Sequence, residues 1–133
     1  MATWLKQSVA VEVKLGPFLD DTDGKTAETA LTITQAEVLL AKNGGDWTQK
    51  AETTSLVHES NGWYRCLLDA TDTNTLGILM LQIAEAGALP VWAEYMVVPA
   101  NVWDSLFGAD LLDVSLVQVN GAAQTATLDT LKT

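Results

Sequence analysis

Near the start of the chain Val9, Val11, Val13 and Leu15 alternate with Ala10, Glu12 and Lys14. Period two with β-branched residues predicts a strand with one buried face. Gly16-Pro17 ends it, and Asp20-Asp21-Thr22-Asp23-Gly24 follows as a polar turn. Short runs of this kind recur along the chain. Ala30, Leu31 and Ile33 among threonines predict a strand near Leu31. Glu37 to Lys42 predicts the next, leading into Asn43-Gly44-Gly45, a hairpin signal, with Trp47 opening the return strand. Strands at Ser55 to His58 and Trp63 to Leu68 are joined by Glu59-Ser60-Asn61-Gly62, a second Asn-Gly turn. Asp69 to Thr75 reads as a capped polar connection with room for one helical turn. Gly77 to Glu85 is an apolar strand with Leu79, Leu81 and Ile83 on one face, and Val91 to Val98 is a strand bounded by Pro90 and Pro99.

The alternation then stops. Val102 and Leu106, with Trp103 and Phe107 beside them, have helical spacing, which predicts a short helix near residues 100–107 ending at Gly108. Asp113 to Val119 alternates again, with Val114 and Leu116 against Ser115, Val117 and Val119, and Asn120-Gly121 follows as a turn. Seven to nine short strands at intervals of roughly 8–12 residues predict an all-β fold, an antiparallel sandwich. No internal repeat interrupts it. The expected division is a sandwich over residues 1–107 and a C-terminal strand or arm over 108–133.

Composition narrows the function. With 133 residues, 48% of them hydrophobic and 18% charged, the chain can bury a core without disulfides or metal. Cys66 and His58 are the sole cysteine and histidine. That excludes an intrachain disulfide and a cysteine-based zinc site, and removes most nucleophile chemistry. The net charge of −10, from 17 acids against 7 bases, opposes both nucleic acid and anionic membranes and suits solubility or a partner with a positive patch. The longest mainly apolar stretch, Leu76 to Ile83, is far below the ~20 residues of a bilayer span. The first residues lack the continuous apolar run of a signal peptide, so synthesis and folding in the cytoplasm are expected.

Each chemical candidate has a plainer reading beside it. Asp20, Asp21 and Asp23 offer carboxylates to calcium around a turn, but Asp-Gly turns also form for backbone reasons alone, and that reading is preferred. Asp69, Asp72 and Asn74 read as turn caps rather than metal ligands. His58 and Glu59 are adjacent, so in a strand they face opposite ways and make a poor acid–base pair. Cys66 among Tyr64, Leu67 and Leu68 reads as a buried, inert thiol. No catalytic residue and no cofactor is assigned. Of five tryptophans, Trp63 and Trp92 read as core, while Trp4 and Trp103 are interface candidates together with Leu106, Phe107, Val114 and Leu116.

Four phrases, DDTDGKTAETALTI, AKNGGDW, NGWYRCLLDATDTNTLGILML and GALPVWAEYMVVPANVWDSLFG, occur in this order between Asp20 and Gly108, within a match that covers about residues 10–108. Together they resemble a module of tailed-bacteriophage and prophage structural proteins, similar to the Ig-like N-terminal domains of baseplate and tail-fibre proteins. The resemblance implies an Ig-like sandwich that anchors a longer fibre to the virion. This chain ends at Thr133 with neither shaft nor receptor-binding head, which favours a short virion component: a fibre or baseplate anchor, a collar or adaptor, or a capsid decoration protein. The expected partners are other virion proteins, in a homo-oligomer or symmetric array, with no enzymatic activity. The alternative is a carbohydrate-binding module that stacks a glycan on exposed tryptophan, with calcium in the Asp20–Asp23 loop. Tryptophan exposure separates the two.

Overall fold

Alternation of side chains across a strand decides which residues meet in the core. The computed structural model describes residues 3–108 and, beyond them, the backbone of two short strands at 118–119 and 122–123. Strands β1 (Thr3–Lys6), β2 (Val11–Leu15), β3 (Val38–Lys42), β4 (Thr48–Gln49), β5 (Val57–Ser60), β6 (Trp63–Leu68), β7 (Gly77–Ile83) and β8 (Val91–Val98) are followed by helix α1 (Ala100–Phe107). They form a five-stranded sheet in the order β1-β8-β7-β3-β4 and a three-stranded sheet in the order β2-β6-β5. The short strands β9 (Gln118–Val119) and β10 (Ala122–Ala123) pair antiparallel with each other, on either side of the Asn120-Gly121 dipeptide.

The core lies between the two sheets. Leu5, Val38, Leu40, Leu79, Leu81, Ile83, Tyr95 and Val97 come from the larger sheet, and Val13, Leu15, Tyr64, Cys66 and Leu68 from the smaller. Phe18, Ile33 and Leu56 close it from the connections. Burying each large apolar side chain contributes about 1.5–3 kcal/mol, so this two-layer packing is the main source of stability. The mostly β architecture is the expected one.

Several particulars differ from expectation. The sandwich is not wholly antiparallel, because β1 pairs parallel with β8, Thr3 opposite Tyr95 through Lys6 opposite Val98. The strand expected over Val9 to Leu15 forms as β2, and β1 precedes it as a separate strand. Ser8 takes φ 58°, and the Gln7 and Ser8 N–H groups donate to Val98 O and Thr73 O, which turns the chain between β1 and β2. No strand forms near Leu31. The Leu31 N–H donates to the Tyr64 hydroxyl oxygen at 3.1 Å, while that hydroxyl donates to Glu28 O at 2.7 Å. A fully buried Tyr64 thus holds the irregular 28–33 segment in place and Ile33 inside the core. Trp47 precedes its return strand rather than opening it. The 69–75 connection, in contrast, makes the expected capped turn: the Thr73 N–H donates to Asp69 O and the Asp72 N–H to Asp69 Oδ1.

One polar cluster is enclosed. The Lys50 side chain is fully buried, and its Nζ donates to Glu52 Oε1 at 2.7 Å, Thr54 O at 3.0 Å and Leu67 O at 3.1 Å. The Asp72 carboxylate accepts the N–H groups of Ala51, Glu52 and Asp69. Full hydrogen bonding is what makes a buried ion pair tolerable. It ties the 50–54 segment to β6 and to the 69–72 turn.

Candidate interaction surface

The carboxylates considered for calcium are engaged within their own turn. Asp20 Oδ1 accepts the Thr22 N–H at 2.7 Å, and Asp23 Oδ1 accepts those of Lys25 and Thr26 at 2.9 Å each. The Thr26 hydroxyl donates to Asp23 Oδ2. These bonds, led by the one from Thr26, hold the Asp23 carboxyl below its ordinary pKa. Among the described residues no group of three metal-ligating side chains assembles. His58 Nε2 accepts the Gly62 N–H at 3.1 Å and its ring meets Tyr64 edge-on, so it braces the β5–β6 turn; Glu59 instead pairs with Lys14 at 2.6 Å. Cys66 is buried, and desolvation pushes its thiol up to about 11, which leaves it protonated and unreactive at neutral pH.

Four of the six interface candidates come together. Helix α1 packs beside β1, tied there by Lys6 Nζ to Asp104 Oδ1 at 2.7 Å. Phe107 meets Trp4 edge-on at 6.3 Å between ring centroids and Trp103 at 4.5 Å. With Leu106 and Thr3 they line an open groove of about 480 Å³. Trp103 is half-buried, whereas Trp4, Leu106 and Phe107 are exposed. Val114 and Leu116 lie outside the described residues.

Two tryptophans read as core are not core. Trp63 and Trp92 each neighbour an inward-facing residue, Tyr64 and Val91, so strand alternation turns both outward; Trp92 is 73% exposed and Trp63 41%. They line a cleft of about 430 Å³ beside β8, with Lys14, Glu94 and Thr3 among its other walls. Gly16 sits close behind this wall: a Cβ there would lie 2.7 Å from Gly62 O and 3.3 Å from the Trp63 ring.

Sequence reasoning missed a larger feature, the outer face of the five-stranded sheet. Trp4, Met96 and Ile78 stand in one cross-strand row and Glu94, Met80 and Ala41 in the next. Trp92, Gln82 and Leu39 form a third row. The signal was present in β7, whose run Ile78-Leu79-Met80-Leu81 is apolar at both parities, as in a strand covered on both faces. Only one of its faces is covered among the described residues.

No protein-family profile, curated protein or solved structure matches the chain. Its surface chemistry therefore carries the functional reading. No helix of the described residues is long and apolar enough to cross a membrane.

Proposed function

We propose that this protein is a non-enzymatic structural component of a tailed-phage virion, an Ig-like domain that works through protein–protein contacts as a fibre or baseplate anchor, collar, adaptor or decoration protein. One observation carries the contact role: an exposed apolar surface that runs from Leu106 and Phe107 through Trp4 onto the outer sheet face of an otherwise strongly acidic chain. Exposed apolar patches of this kind mark interaction sites. The phage assignment rests on the sequence resemblance alone. Immunogold labelling of particles from the encoding phage or prophage tests it: label fixed on particles is expected, and label confined to the soluble fraction of the lysate overturns it.

A second reading has its own support. Trp63 and Trp92 are exposed and share a cleft with Lys14 and Glu94, the aromatic-plus-polar lining that suits a sugar ring. A glycan-array screen followed by tryptophan fluorescence titration tests it, with loss of the response in Trp63→Ser as the expected signature.

A further inference from the structure

We infer that the outer face of the five-stranded sheet, from Phe107 and Trp4 across Ile78 and Met80 to Trp92, is the contact between two copies of this chain, packed face to face about a two-fold axis. The inference deepens the structural reading above and rests on it. It starts from continuity. Trp4 stands beside Met96 and Ile78 in one row, Met80 follows Ile78 on the same face of β7, and Trp92 lies diagonally across from Met80. Phe107 extends the strip over α1.

Size is the second argument. Taking ~150–250 Å² for each large side chain, the open parts of Trp4, Ile78, Met80, Trp92, Leu106 and Phe107 together amount to roughly 650 Å². That exceeds the ~300–600 Å² of the largest apolar patch on a typical monomer. With the partly exposed Met96 and Leu39 it approaches the ~800 Å² that each partner contributes to a stable interface.

Charge selects a second copy over a basic partner. A basic partner would be drawn to acidic surface, yet Glu94 is the one acid within these three rows. At the β1 end Lys6 is neutralised by Asp104. For a chain of net charge −10, a nearly uncharged face is where another copy meets the least repulsion. A closed two-fold contact uses the same patch twice, so it needs no second complementary surface. It also covers the apolar outer side of β7.

The test is sedimentation equilibrium of the full chain at low and high salt. A dimer in the micromolar range is expected, several-fold tighter at 0.5 M than at 0.05 M NaCl because salt screens the repulsion between two acidic copies. Ile78→Lys and Trp92→Ser, both at exposed positions, should each weaken it at least tenfold, with the thermal transition unchanged at dilutions where the wild type is monomeric. Val57→Ser, at an exposed position on the smaller sheet, should leave it intact, and Glu94→Gln should tighten it. A wild-type monomer at ~100 µM in high salt overturns the inference, as does a dimer that ignores Ile78→Lys or weakens with Glu94→Gln. Particle-bound label with a monomeric purified chain would refute the two-fold contact and leave the virion reading standing. A dimer that never joins particles would do the reverse.

Discussion

Glu85, two residues past the end of β7, faces Glu37, and its buried Oε2 has no donor from any other residue. Its pKa is pushed up to about 7, first by the hydrogen bond to Glu37, then by burial and by the neighbouring negative charge. Glu37 is held below its ordinary value, chiefly by that same bond. Two adjacent carboxyls share one proton more readily than they carry two charges. Between the ordinary 4.5 and about 7 the folded chain therefore holds more protons than the unfolded one, and stability must fall as pH rises through that window. The melting temperature should drop between pH 5 and pH 8, and Glu85→Gln should flatten the slope. A melting temperature that is unchanged or rising over this range in the wild-type chain would refute the pairing. Neither this pair nor the Lys50 cluster was legible in the sequence. Each joins residues from separate segments, and isolated charges in a linear pattern read as solvent-facing. Asp23 was legible, because its partners lie within three residues.

At the scale of elements, local chemistry was the readable part. Both Asn-Gly turns form with positive φ at each central residue, Asn43 47° with Gly44 80°, and Asn61 48° with Gly62 87°, the primed geometry that suits strand twist. The two glycines differ in surroundings. A Cβ at Gly44 would meet nothing within 4 Å, while one at Gly62 would lie 2.7 Å from Phe18 O. Gly44→Ala should therefore cost about 1 kcal/mol, the backbone strain alone. Gly62→Ala should cost at least twice as much, since backbone cannot yield as a side chain can. Urea unfolding of the two variants measures the difference, and equal costs would mean that the Gly62–Phe18 approach is looser than 2.7 Å. Non-local elements were not readable. The parallel seat of β1 depends on β8, far along the chain, and the missing strand near Leu31 depends on the Tyr64 hydroxyl. Trp63 and Trp92 were misplaced because aromatic content suggested core, whereas alternation with Tyr64 and Val91 decided against it.

For the whole molecule, two layers followed from the spacing of turns, and the short helix from the helical spacing of Val102 and Leu106. The open sheet face did not, since a strand that is apolar at both parities does not disclose whether its second cover belongs to the same chain. The layers also fix what the fold requires. Every residue of the described core lies between Leu5 and Val98. That core should suffice for a cooperative unfolding transition in a chain ended after Gly108. Removing residues 1–6 should do far more harm. It takes Leu5 from the core, a loss of about 2–5 kcal/mol by analogy with large-to-small substitutions, and bares the edge of β8 from Tyr95 to Val98. Calorimetry of the two truncations side by side tests this asymmetry. If instead the shorter C-terminus lost its cooperative transition while the N-terminal truncation kept it, the core would depend on residues 109–133, and the boundary at Gly108 would divide one folding unit rather than separate a sandwich from its arm.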